Sequence, residues 1–386
     1  MAFPKVYLAV DNVSASKRWT APNDWIQMIR DTGVSYIEAS ADTECDPLYT
    51  TPSYIKDWVK EVKRSCAQNG MNLSNLYSGH GTYATIGLAH SDNRIREHIL
   101  ENWIKPYIDM AAELDVGVGF YCHAFPDNVL QNRDAYGDEI KRLENIMGEA
   151  RDYASAICNK PISLEQMYSP HQYPWTIETS LDFIRNTGIY ITLDTGHQVG
   201  QKKFLRPTSD EIREACMPGG RYVWTGTAYS SSLIKRACLG EINKDEAVHR
   251  IEEDMDGNPH LFSSEIDSDL YQWAREVGCY SPIIHLQQTD GSSSSHWSFT
   301  EENNNKGIVD PVKLLKSLFQ SYQQAERTGM PAHCKEITFT LELFYNSMQY
   351  PSHICSQLSQ SVDYWRKFIP EDGMYLDQLP CLLQLK

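Results

Sequence analysis

The chain carries ten cysteines but no C-x-x-C pair. A zinc ribbon or a dithiol redox pair needs closer spacing, so the thiols read as buried and reduced. No apolar run approaches the roughly 20 residues that a membrane span requires. The apolar stretch near the N-terminus is too short for the core and cleavage region of a secretory signal, so the expected compartment is the cytoplasm. Basic residues are comparatively few. Lys and Arg number 35 against 51 Asp and Glu, for a net charge of −16. Such a surface repels polyanions, so neither a nucleic acid nor a membrane is expected as partner. Basic blocks, low-complexity tracts and a Gly/Ser/Pro-rich linker are also missing. No G-x-S-x-G elbow occurs, which argues against hydrolase-type nucleophilic chemistry. No G-x-G-x-x-G loop occurs, which argues against a nicotinamide cofactor.

What is present is an alternation. Eight strand-like runs can be read: "KVYLAV" (5–10), "YIEAS" (36–40), "NLSNLYS" (72–78), "GVGFYC" (117–122), "PISLEQM" (161–167), "IYITLDT" (189–195), "PIIHLQQ" (282–288) and "ITFTLEL" (337–343). Most are nearly continuous in apolar or β-branched residues, as buried parallel strands are. Helical patterns lie between them. "SYIKDWVKEVKRSCAQNG" places Ile55, Trp58, Val59, Val62 and Cys66 on one face and stops at Gly70. "RIREHILENWIKPYIDMAAEL" does the same with Ile95, Ile99, Trp103, Tyr107 and Met110, and Pro106 is a candidate kink. Eight strand–helix repeats predict an α/β fold, a closed (β/α)8 TIM barrel formed as a single domain over residues 1–386. One crossover is too long for a single helix. Residues 200–279 read as an inserted helical segment with helices near 208–216, 229–239 and 243–253, placed over the barrel mouth or in a subunit contact.

The tripeptide Asp-Thr-Gly occurs twice, at Asp31 and at Asp194. It carries the catalytic acid of two-lobed aspartic proteases, which need both copies in equivalent turns of an all-β chain. Here the first copy lies in "WIQMIRDTGVSYIEAS", whose frame repeats in "LDFIRNTGIYITLDTG". In that frame Asp31-Thr32-Gly33 matches Asn186-Thr187-Gly188, a helix C-cap. Asp194 instead closes a strand, so the protease reading fails on register and on fold class.

A parallel barrel builds its site at the C-terminal ends of its strands. There the fifth strand delivers Glu165, the sixth Asp194 followed by His197, the seventh His285 and the eighth Glu342. Each alone is an ordinary buried polar residue. Together they place three carboxylates in one small space, which is costly without compensation. A divalent cation compensates, and this donor set suits Mn2+, Mg2+ or Co2+, with Zn2+ also compatible.

Glu on strand five, Asp-x-x-His on strand six, His on strand seven and Glu on strand eight resemble the xylose isomerase-like TIM barrels. The similarity is closest to the sugar and sugar-phosphate isomerase/epimerase group that includes ketose 3-epimerases. It covers about residues 1–200 and 280–370. The resemblance implies that Glu165, Asp194, His285 and Glu342 are the metal ligands and that Glu165 and Glu342 are the catalytic acid/base pair. It also implies that His197 hydrogen-bonds the substrate. The implied activity is a divalent-metal-dependent isomerase or epimerase of a ketose or ketose phosphate, working by proton abstraction next to the carbonyl through an enediolate. The epimerases place an Arg six residues beyond the strand-seven His; this chain has Gly291 there.

Further substrate-binding candidates are Glu38, His80, His123, Trp175 and His296. Glu38 ends strand two and either meets substrate or caps a helix. His80 sits in a Gly-flanked loop, and His123 ends strand four at the mouth. Trp175 is a pocket wall or helix-start packing. Ser292 to Ser295 with His296 form either a phosphate cradle or a plain polar loop. The alternative activity is a metal-dependent lyase of the same fold, a C-glycoside-cleaving subunit acting on 3-keto sugars. Expected partners are a small-molecule sugar or sugar phosphate and further copies of the chain in a homo-oligomer, or a second chain if it is a lyase subunit. A multi-zinc nuclease barrel needs a basic DNA track that the charge opposes. A catalytically dead scaffold would not need the four aligned ligands.

Overall fold

The computed structural model describes residues 3–79 and 85–383. Eight parallel strands run β1 Lys5–Asp11, β2 Tyr36–Ser40, β3 Asn72–Ser78, β4 Gly117–Phe120, β5 Ile162–Glu165, β6 Tyr190–Asp194, β7 Ile283–Leu286 and β8 Glu336–Leu341. They pair in chain order, and β1 closes the barrel by pairing with both β8 and β2. A two-residue strand, β9 Met374–Tyr375, lies antiparallel to the start of β1. It occupies the side of β1 that β2 reaches only from Ala9 onward. The expected closed barrel is the observed fold.

The strands alternate more sharply than the sequence suggests. In β8, Ile337, Phe339 and Leu341 join the main apolar core. Thr338 and Thr340 are buried polar residues at the alternating positions between them. The same period of two puts Asn75, Ser163, Thr192 and His285 on the barrel's inner side. There Ser163 Oγ meets Thr192 Oγ1 at 2.8 Å, and Asn75 Nδ2 donates to Glu38 Oε1 at 2.6 Å. A barrel interior is ordinarily filled by bulky branched side chains. This one is small and polar, and it closes around Gly119. A Cβ at that position would lie 3.1 Å from Ser163 Oγ and 3.3 Å from Asn75 Nδ2.

Local signals explain the helices. Helix Pro52–Asn69 starts on the Thr51 cap and ends at Gly70, with φ of 65°. Pro106 does not break its helix. The turn before it, Leu100–Ile104, is π-helical, and Lys105 N–H reaches back to Leu100 O. The wider turn accommodates the ring and the missing donor. Both Asp-Thr-Gly assignments hold. Asp31 is the C-cap of helix Pro22–Arg30 and Gly33 turns the chain out of it with φ of 97°, while Asp194 is the last residue of β6.

The long crossover between β6 and β7 carries helices Ser209–Ala215, Ala228–Cys238 and Lys244–Gly257. Each starts on a side-chain cap, from Thr208, Thr227 and Asn243. They bury a small core of their own that includes Ile212, Leu233, Val248, Ile251 and Met255. This segment docks against the chain that follows β4 and β5. Ala228 N–H donates to Gln131 Oε1 at 3.0 Å, His260 Nε2 contacts Leu130 O at 3.0 Å, and Ile177 N–H donates to Asp267 Oδ1 at 2.8 Å. Leu233 is fully buried there. Leu233→Ala should therefore lower stability by about 2–5 kcal/mol, read from urea unfolding. An unchanged midpoint would mean that this core does not share in the cooperative fold.

Candidate metal centre

Glu165 is the last residue of β5 and Asp194 the last of β6. His285 lies inside β7, and Glu342 is the first residue beyond β8. The side chains of all four converge. One ligand atom from each lies within 4.8 Å of the others, and all four residues are buried. Pairing of β6 with β7 sets Asp194 level with His285.

Each member is oriented by its neighbours. Asp194 Oδ1 accepts hydrogen bonds from Gly196 N at 2.6 Å, His197 N at 3.0 Å and Gln287 Nε2 at 2.8 Å. Its Oδ2 is buried and accepts none. Glu165 Oε1 meets His285 Nδ1 at 3.0 Å, and its Oε2 accepts from the Tyr77 hydroxyl. Glu342 Oε2 is likewise buried without a hydrogen bond, although His285 Nδ1 lies 3.4 Å and His296 Nδ1 3.3 Å away. Among the described residues, the ion-pair partners of these carboxylates are imidazoles.

Burial raises the Glu165 carboxyl, but the hydrogen bond from His285 and the nearby His197 outweigh it and hold the group below the usual range. Burial likewise raises Asp194, and His197, His296 and His285 hold it low. Glu342 goes the other way. Burial lifts it, Glu165 and Asp194 lift it further, and His285 does not compensate. For His285 burial favours the neutral ring, yet Glu342, Glu38 and Glu165 together push it well above its ordinary value. Two orphaned carboxylate oxygens inside a ring of acids form a donor set that fits a divalent cation.

The other expected residues fall in several places. His197 stands beside the cluster, with Nδ1 on Gln166 O at 2.6 Å and Nε2 3.9 Å from Asp194 Oδ1. His296 also joins it, donating from Nδ1 to Glu342 O at 3.1 Å and stacking on Phe344 at 3.8 Å. Asp194, His197 and His296 can themselves gather three ligand atoms. Glu38 lies deeper in the barrel than the cluster's mouth-facing carboxylates. It is fully buried on the Nε2 side of His285, away from the carboxylates that face Nδ1. His123 does not line the mouth either. It is fully buried between Tyr121 and Phe125, with Nε2 on Tyr173 O. Trp175 packs edge-on against Phe204 where the long crossover docks, so it belongs to that seam and not to the metal centre. His80 lies outside the described residues. In the serine loop Ser292 turns to Asp290, and Ser294 Oγ accepts from Gln287. Gly291 has φ of 84°, a conformation that an Arg at this position would adopt only under strain.

Gln287 is the residue that sequence reasoning passed over. It lies two positions past His285, so strand alternation places it on the same inner side, nearer the mouth. Its Nε2 donates to Asp194 and Ser294, and its Oε1 accepts from the backbone N–H of His296. It also explains Gly196, because a Cβ there would sit 2.5 Å from Gln287 Cδ.

A closed (β/α)8 barrel with an acid–imidazole cluster at the C-terminal ends of its strands defines the class. The chain belongs to the xylose isomerase-like TIM barrel family, whose model matches residues 26–223. It is 30% identical over 116 residues to the D-erythrulose 1-phosphate 3-epimerase of Brucella abortus (strain 2308), a match that spans 30% of this chain and 34% of that relative. Among solved structures it is similar to a candidate xylose isomerase from Rhodospirillum rubrum ATCC 11170, with TM-score 0.66, 16% identity, and coverage of 93% of this chain and 97% of that one. It is also similar to the D-psicose 3-epimerase of Clostridium cellulolyticum H10, with TM-score 0.56, 13% identity, and coverage of 93% and 98%. At these identities the structural likeness establishes the fold.

Burial pushes the His123 imidazole down to about 4. The unfolded chain therefore takes up a proton near pH 6.5 that the folded chain refuses until near pH 4. Stability from this group is present above that window and falls as pH drops through it, by about 3 kcal/mol in all. Urea unfolding of wild type and His123→Gln at several pH values checks this. The variant should lose less stability between pH 6.5 and 4, and equal losses would contradict the assignment.

Proposed function

We propose that the protein is a divalent-metal-dependent isomerase or epimerase of a ketose or ketose phosphate, moving a proton on the carbon beside the carbonyl. The observation that carries this reading is the pair of buried, unpartnered oxygens, Asp194 Oδ2 and Glu342 Oε2, inside the four-residue cluster. The partial likeness to an erythrulose 1-phosphate 3-epimerase supports the substrate class. Glu165, Asp194, His285 and Glu342 would hold the cation, with the Gln287 amide orienting Asp194. When bound, the cation supplies Lewis-acid polarisation of the carbonyl and the neighbouring hydroxyl.

The chain's own residues do the proton work. Glu165 and Glu342 approach from β5 and β8, on either side of the strands that carry Asp194 and His285. Glu165, held by Tyr77 and His285, takes the proton from the carbon; Glu342 returns one from its own side. His197 has its Nδ1 committed to Gln166 O, which leaves Nε2 toward the cluster to accept from a substrate hydroxyl. Burial of all four residues excludes bulk water, which strengthens each of these interactions.

Two measurements test this. With Mn2+ present and a panel of ketoses and ketose phosphates in D2O, the product should carry deuterium at the carbon beside the carbonyl. Turnover with no deuterium entering would point to a hydride shift and overturn the proton-transfer reading. Glu165→Gln and Glu342→Gln should each lower kcat by about 10²–10⁴ with the fold intact by circular dichroism. Near-normal rates in both variants would remove them as base and acid.

A further inference from the structure

We infer that Glu38 is a positioning residue for the metal centre: clamped by Asn75 at a β-bulge, it fixes which ring nitrogen of His285 faces the carboxylates. This inference rests on the metal-centre reading above and extends it to a residue outside the four proposed ligands, one that with Asp11 forms a second acidic group on the far side of His285.

The backbone makes the arrangement. Along β2 and β3, Ile37 pairs with Leu73, but Glu38 pairs with Asn75. Ser74 is the extra residue, and its hydroxyl donates to Ile37 O at 3.1 Å. Bulges of this kind re-aim side chains beside sites. Here the bulge brings Asn75 alongside Glu38, and Asn75 Nδ2 donates to Glu38 Oε1 at 2.6 Å. Gly117 makes room for the amide, since a Cβ there would lie 2.8 Å from Asn75 Oδ1. With Oε1 engaged, Oε2 is presented to His285 Nε2 at 3.1 Å. Glu38 is fully buried and Asn75 nearly so, so solvent does not compete for either contact.

The chemical consequence is one of tautomers. A carboxylate can only accept, so Glu38 holds a hydrogen on His285 Nε2. Nδ1, which faces Glu165 at 3.0 Å and Glu342 at 3.4 Å, is then the nitrogen that gives up its hydrogen and turns its lone pair to a cation when one binds. A carboxylate behind a ligating imidazole holds the ring's orientation and raises its basicity. Glu38 thus acts through His285, and Asn75 acts through Glu38.

The test uses Co2+ as the probe on the full chain, with affinity read by calorimetry and geometry by the Co2+ visible spectrum. Glu38→Gln keeps the shape but lets an amide donate to Nε2, which frees the ring to place its hydrogen on Nδ1. The variant should bind Co2+ about 10–100-fold more weakly, with a shifted visible band and an unchanged circular dichroism spectrum. Asn75→Ala leaves Glu38 in place but unclamped, and should weaken binding in the same direction. It serves as the test if Glu38→Gln does not fold. Wild-type affinity and spectrum in the variants, with wild type itself binding Co2+, would overturn this inference and leave the metal centre standing. Failure of the wild type to bind would overturn both.

Discussion

The structure around the barrel mouth depends on one constraint: Glu165, Asp194 and Glu342 share a space closed to water. Like charges a few ångströms apart, without solvent, raise each other's energy unless something positive or hydrogen-bonding intervenes. The surroundings read as a response. Asp194 receives two backbone N–H groups and an amide on one oxygen, Glu165 a tyrosine hydroxyl and an imidazole, and three histidines crowd the rim. What these partners leave unserved is directional, one oxygen on Asp194 and one on Glu342.

The barrel beneath is adapted to the same constraint. Its inner side carries Asn75, Ser163, Thr192, Thr338 and Thr340 in place of branched aliphatics, while the outer side of each strand supplies the apolar core. The polar lining gives Glu38 and His285 hydrogen-bonding neighbours at a depth where an aliphatic core would leave them stranded. Stability therefore rests on the apolar layer between strands and helices, and the interior is spent on holding side chains in place. Asp11, at the end of β1, is part of this interior. Burial first, and then the charge of Glu38, lift its carboxyl well above the usual range.

Much of this was legible in the sequence. The eight repeats, the approximate positions of the three crossover helices, and the two different roles of Asp-Thr-Gly all follow from local patterns. So did the convergence of Glu165, Asp194, His285 and Glu342, because a barrel's strand ends meet at one place. The readings that failed depend on pairings between distant strands. Glu38 meets His285 across the barrel and is held there by Asn75, which a bulge at Ser74 brings alongside it, and no local pattern in "NLSNLYS" announces that bulge. His123 and Trp175 sit after strand ends, as mouth residues do, but neighbouring aromatics wall them in. Gln287 was hidden by a strand read as continuously apolar rather than alternating.

The central claim is that these orphaned oxygens bind one divalent cation. Anomalous diffraction from crystals grown with Mn2+ tests it most directly. The account predicts a single strong peak within coordination distance of Glu165, Asp194 and Glu342, with His285 Nδ1 completing the set. No peak there, or a peak held by His197 and His296 without Glu165, would contradict it.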